Sequence, residues 1–367
     1  MAARPATRRA TERALGTHRP IVRDLGRGSS TFTIEWDVRP AFDFLFSLSA
    51  EAGSTDDLPA DDRRWLSESK ASLSEDVQAG LAALFGTELC INAGVHLIDK
   101  PEVRTASDFV ELLASTRPAA VIQPIFEDHH LDQDVGTLVQ RAIDGDLSVL
   151  SSLEERLPDW NREGRMAILR DPLAARDRMV AVLRAWQERF VEIEPRIVEI
   201  IERDFDGRAA DRESLGPTEL IEATTGGIRW LPEPGVRRVI LGPSYFSRPY
   251  NFLMSGSEWR FFGYPVADTA LDPTDSLAAP QSVVRLHRAL GDATRLKILK
   301  LLASRDLYLT EIAQQLDLSK PTIKHHLAQL RSAGLVTLTE SGTVMYYSLR
   351  RNRLDDASAE IKKFLVG

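Results

Sequence analysis

The residues best placed to do chemistry on a partner lie in one short run, SKPTIKHHLAQLR from Ser319 to Arg331. Ile323, Leu327 and Leu330 recur at i, i+4 and i+7, the spacing of a buried helical stripe. At 100° per residue the opposite face presents Thr322, His325 and Gln329, with Lys324 alongside and no acid among them. Hydroxyl, imidazole and amide groups on such a face can meet base edges in the major groove of duplex DNA, while Lys320, Lys324 and Arg331 meet phosphates. Ser319, Lys320, Thr322, Lys324, His325, Gln329 and Arg331 are therefore the candidate DNA-binding residues of this run. His326 flanks the buried stripe and suits packing within the domain as well as it suits a DNA contact.

These side chains need a helix with defined ends. Ser319 is a good N-cap, Pro321 occupies the first turn where its missing N–H costs nothing, and Gly334 stands just past the end as a C-cap. Before it, Thr310 reads as the N-cap of a short helix with Ile312 and Leu316 inward, and Asp317-Leu318 turns the chain, so the two helices form a helix-turn-helix. Val283 to Leu302 offers two apolar helices as scaffold. After Gly334, Leu335 to Thr339 and Val344 to Leu349 read as a β-hairpin turning through Glu340, Ser341, Gly342 and Thr343. Ser341 and Thr343 at its tip and Arg350 beyond it join the candidate DNA contacts, with Arg351 and Arg353 following. A last helix, Leu354 to Val366, carries Ala357, Ile361 and Leu365 at helical spacing, an apolar stripe left over for dimerisation.

The motifs LGDATRLKILKLLA and LTEIAQQLDLSKPTIKHHLAQLRSAGLV, with the hairpin after them, resemble the ArsR-type winged helix-turn-helix regulators over about 85 of the 367 residues. The resemblance implies a homodimer with the module's terminal helices in the interface, Ser319 to Arg331 as recognition helix, and a repressor released from DNA by a ligand. The sequence departs from the metal-sensing members. Asp306 to Thr310 lacks their cysteine pair, and Leu354 to Gly367 lacks the histidines of members that hold zinc through the last helix. Neither a cofactor nor a metal is expected, and the effector implied is a small non-metal ligand.

The rest of the chain fits a regulator with a large attached body. Residues 281–367 hold 14 basic against 8 acidic residues, a net +6 in a chain of −8, so residues 1–280 carry −14. An acidic body discourages indiscriminate attachment to nucleic acid, and a basic end attracts phosphates locally. Cys90 is the only cysteine, which excludes an intrachain disulfide framework and a thiolate cluster. Without a long apolar run or a secretory signal the expected location is the cytoplasm, with no membrane partner.

The expected fold class is α+β, in four parts. Residues 1–28 form a basic flexible arm, and 29–266 an acidic, mainly helical body with a small β portion that senses a ligand or sets the dimer. Residues 267–282 make a linker and 283–367 the winged helix-turn-helix. The clearest body helix runs from Asp171 to Phe205, and Pro195 should kink or divide it. Nine of the 26 aromatic residues crowd between Trp230 and Tyr264, beside a buried strand at Val239 to Leu241. They either fill the body's core or line a pocket for an apolar effector, for which Tyr245, Arg248, Tyr250 and Trp259 are the candidates. Glu127, Asp128, His129, His130, Asp132 and Asp134 suit either a metal site or an acidic loop. No catalytic motif stands out, so the body is not expected to be an enzyme. Rival readings are a winged helix kept as a protein-interaction module on a working body, and an enzyme controlled by its DNA-binding end.

Overall fold

The structure, a computed structural model, describes residues 32–54, 56–85, 89–126, 133–157, 162–271, 281–341 and 344–366. The basic arm, most of the acidic and histidine-rich run at 127–134, the central part of the linker and Thr343 lie outside them. Strand β1 (Thr33–Trp36) enters helix α1 (Pro40–Phe46), which begins on a proline and is buried on every side. After α2 (Ala60–Ala71) come further short helices. The long amphipathic stretch is then divided at Pro195, as expected, into α3 (Pro172–Phe190) and α4 (Glu194–Gly207), with the proline in the first turn of α4.

The β portion follows: β2 (Ile228–Trp230), β3 (Arg238–Ser244), β4 (Phe252–Ser255) and β5 (Trp259–Pro265). One sheet has the order β1-β3-β5-β4, with β1, β3 and β5 parallel and β4 antiparallel to β5. Helices thus outweigh a small mixed sheet, an α+β arrangement. The rings of α1 cover the sheet: Phe46 stacks on Phe252 at 4.2 Å and Phe42 on Phe261 at 4.3 Å. Gly263 allows this approach, since a Cβ there would stand 2.7 Å from the Phe46 ring.

The C-terminal module comprises α5 (Gln281–Leu290), α6 (Ala293–Leu302), β6 (Leu307–Tyr308), α7 (Leu309–Leu316), α8 (Lys320–Ser332), β7 (Val336–Ser341), β8 (Val344–Leu349) and α9 (Arg351–Val366). The helix α7 starts earlier than the sequence suggests. Its cap is Tyr308, whose N–H donates to the Glu311 carboxylate at 2.8 Å, and Thr310 falls inside the first turn. Leu286, Ile298, Ile312, Ile323, Leu327 and Leu330 meet in a core of the module's own.

Body and module nevertheless share a sheet. Strand β2 pairs in parallel with β7, Ile228 opposite Leu338 and Trp230 opposite Glu340, giving the order β2-β7-β8-β6. Leu338 also packs into a body cluster with Ile228, Trp230, Leu241 and Tyr264. The module is therefore fixed to the body by backbone hydrogen bonds and by buried apolar surface.

Candidate nucleic-acid interface

Helix α8 has the expected ends. The Ser319 hydroxyl accepts the Thr322 N–H at 3.2 Å. At the other end Gly334 adopts a left-handed φ of 73°, and the Leu335 N–H reaches back to the Leu330 carbonyl at 2.9 Å. These bonds satisfy backbone groups that a helix leaves open at its termini. Ile323, Leu327 and Leu330 are buried, so the stripe inferred from spacing is the inward face. Ser319, Lys320, Thr322 and Lys324 are exposed on the first two turns, and Arg350 is exposed after the hairpin.

Farther along α8 the structure departs from the sequence reading. His325 and Gln329 are half-buried and engaged within the protein. Gln329 accepts a hydrogen bond from Arg295 and meets His325 Nε2 at 3.0 Å, while His325 Nδ1 meets the Tyr250 hydroxyl at 2.9 Å. Both ring nitrogens are thus occupied, one by the module and one by the body. Arg331, expected at a phosphate, is instead buried, and burial pushes its guanidinium below the usual arginine range despite Tyr347 and Glu51 nearby. It stands one turn after Leu327, at the edge of the buried stripe, and Gly227 of the body lies against it. His326 is also half-buried, and burial lowers its basicity although Asp292 stands 3.9 Å away.

The body presents acids to the module's cations. Glu51 pairs with Lys324 at 3.0 Å, Asp56 with Arg288 at 3.4 Å, and Asp57 lies 3.8 Å from Arg285. Asp268 bridges Arg248 and Arg285. Burial opposes its ionisation, but the two guanidinium groups hold the carboxyl below its ordinary range. Sequence reasoning missed this interface, because nothing in local periodicity links residues 51–57 to residues 285–324.

The four residues proposed to line an effector pocket are not gathered in one. Tyr245 is fully buried with its hydroxyl on Asp62, and Arg248 is tied to the Asp57 and Val266 carbonyls and to Asp268. Tyr250 bridges to His325, and Trp259 is a half-buried ring at the start of β5. Arg248 does line a cavity of about 160 Å³ at the junction, but each of its three nitrogens already donates to a group of the protein. The aromatic-rich stretch therefore builds the sheet and its packing.

The profile of the family described as bacterial regulatory proteins of the arsR family matches residues 292–337. Over 72 residues the chain is 39% identical to the HTH-type transcriptional regulator KmtR of Mycobacterium tuberculosis, covering 20% of this chain and 55% of that protein. It is 40% identical over 72 residues to the transcriptional repressor SdpR of Bacillus subtilis, covering 20% of this chain and 80% of that protein. A third relative, the uncharacterised HTH-type regulator MJ1325 of Methanocaldococcus jannaschii, is 37% identical over 86 residues and 92% covered. The chain thus spans about half of the first relative, and these similarities reach no more than a quarter of its own length. Among the described residues, no single helix is long and apolar enough to cross a membrane.

Proposed function

Since the chain belongs, by its C-terminal module, to the arsR family of bacterial regulatory proteins, we propose that it is a DNA-binding transcriptional regulator, a repressor whose winged helix-turn-helix reads duplex DNA. The observation that carries this reading is the first half of α8. It is a capped helix end with Ser319, Lys320, Thr322 and Lys324 exposed and no acid among them. A helix entering the major groove reads bases from its N-terminal turns, and its unpaired N–H groups and positive end favour phosphate. The hairpin β7–β8 serves as the wing, with Arg350 at its exit.

A homodimer suits the last helix, where Leu354, Phe364, Leu365 and Val366 are exposed, an unusual concentration of apolar groups for a solvated surface. The body acts as the regulatory part. In the conformation described it holds His325 and Lys324, so full engagement of DNA requires the body to let go of α8. Its acids occupy cations that phosphates would otherwise meet.

Selection of genomic fragments by the full-length protein, followed by anisotropy titration of an enriched fragment at two salt concentrations, tests the reading. A palindromic site whose affinity falls steeply with salt is expected. Failure to enrich any fragment, both by the wild type and by a variant lacking the Glu51 and Tyr250 contacts, overturns it.

A further inference from the structure

Resting on that reading of a regulator whose recognition helix is held by its body, we propose that the cavity between the turn at residues 50–54 and α2 binds a small amphipathic acid. Its carboxylate would sit on Lys70, and the turn would report its occupancy to the recognition helix. The cavity measures about 480 Å³ and opens to solvent between the turn, α2 and the helix Glu75–Phe85. That volume lies in the range of small-molecule sites. Leu48, Leu66, Leu81 and Ala82 supply an apolar wall.

The polar groups of the lining offer mainly cationic donors. Lys70 Nζ donates to the Ser49 carbonyl at 3.2 Å, and among the described residues no carboxylate stands within ion-pair distance of it. An ammonium with three donors and one neutral partner leaves two donors open to an anion. Burial pushes the amine down to about 8, as expected for a charge taken from water without a counter-ion. Arg63, two turns earlier on α2, pairs with Asp56 through one nitrogen while its buried Nε–H has no partner. Gln78 is not a ligand group, because its amide donates to the Ala71 and Leu73 carbonyls. One open ammonium beside an apolar wall matches a singly charged acid with a hydrocarbon or aromatic tail better than a polyanion.

The turn has two faces. Ala50, Ala52, Gly53 and Ser54 line the cavity. Gly53 sits at a φ of 72°, where a Cβ would stand 3.1 Å from the Leu66 side chain, so the turn lies directly against α2. From the same turn Glu51 reaches Lys324, and Ser54 stands beside Tyr250, favouring its ionised form, while Tyr250 holds His325. A carboxylate taken up by the open Lys70 donors draws the ammonium into the cavity and away from the Ser49 carbonyl, loosening the tether of the turn and with it both contacts to α8. Acid and DNA then favour the same uncovered form, and each strengthens binding of the other.

The test is calorimetric titration of the full chain at pH 7 with octanoate, and with octan-1-ol as its uncharged analogue. Saturable one-site binding of octanoate is expected, with octanol and the variant Lys70→Met at least about tenfold weaker. Lys70→Arg should regain part of the affinity. Met keeps the stem and removes a poorly solvated charge, so thermal melting of that variant should match or exceed the wild type. Saturating octanoate should tighten DNA binding about threefold or more in the wild type and leave Lys70→Met unchanged. Equal affinity for octanoate and octanol, equal binding by Lys70→Met, or no saturable binding overturns the site. Binding that leaves DNA affinity unmoved overturns the relay. If octanoate binds through Lys70 but no form of the protein binds DNA, the acid site stands and the regulator reading falls.

Discussion

Among the described residues, Glu51 on Lys324 and Tyr250 on His325 tie the body to the outer face of α8, and removing both should expose it. In the double variant Glu51→Gln, Tyr250→Phe, the lost ion pair to Lys324 is 3.0 Å long but its side chains are 49% and 24% exposed, so solvent screens it to about 0.5 kcal/mol. The Tyr250 hydroxyl bond to His325, 2.9 Å and partly buried, adds about 1 kcal/mol. Together they hold the covered form by about 1.5 kcal/mol, a factor of about ten in the equilibrium for uncovering. If uncovering must precede full contact with DNA, the dissociation constant for a selected operator should fall about tenfold in a low-salt anisotropy titration. A general loss of negative charge would also tighten binding. The control is therefore Glu154→Gln, which removes the same charge from a body residue paired with Arg170. A double variant that binds no tighter than this control, or binds more weakly than wild type, refutes the covering argument.

Lys320→Ala should weaken binding to all sequences alike and lower the salt slope by about one ion, whereas Thr322→Ala should cost about 1 kcal/mol on the operator and little on random DNA. Equal losses on both DNAs for the two variants in competition titrations would separate neither role. Asp43, fully buried beneath Ser244 and the Tyr245 and Phe246 N–H groups, has its pKa raised by desolvation to about 6 despite those hydrogen bonds. As pH rises from 4 through 6 the unfolded chain ionises this group before the folded one does. Stability present at low pH is then lost by about 3 kcal/mol, and the urea-midpoint difference between wild type and Asp43→Asn should change with pH over that window. Asp268→Asn leaves Arg248, only 2% exposed on its side chain, without its counter-ion. Denaturant titration should show a loss of about 3 kcal/mol.

What could be read from the sequence followed from short-range rules. The caps Ser319 and Gly334, the stripe Ile323, Leu327 and Leu330, and the division at Pro195 each depend on residues within about two turns of one another, and all are present. What could not be read depends on distant partners. Strand β2 has three residues, too few for any periodicity, and its pairing with β7 spans more than a hundred positions. The same limit explains Arg331, Gln329 and His325. Helical spacing put His325 and Gln329 opposite the module's buried stripe and Arg331 one turn from Leu327 at its edge, but whether those positions meet solvent depended on Gly227, Arg295 and Tyr250, which arrive from elsewhere in the chain. The aromatic residues between Trp230 and Tyr264 were open to two readings because rings serve a core and a pocket equally well, and only their packed neighbours distinguish the two.

The division of charge, −14 in the first 280 residues and +6 beyond, acquires a second meaning once Glu51, Asp56, Asp57 and Asp268 are seen facing Lys324, Arg285 and Arg288. Carboxylates of the body and phosphates of DNA compete for overlapping cations. Raising salt weakens Lys324 on a phosphate, but it also weakens Glu51 on Lys324 and so favours uncovering. The two effects partly cancel in the wild type. Replacing Glu51 by Gln removes the second effect only, so the plot of log affinity against log salt should become steeper by a fraction of one ion. The tighter binding of the variant should then be largest at low salt and shrink as salt rises. A slope equal to or shallower than that of the wild type would mean that Glu51 and phosphate do not compete for Lys324, and the body's acids would then act only through the general field of the protein.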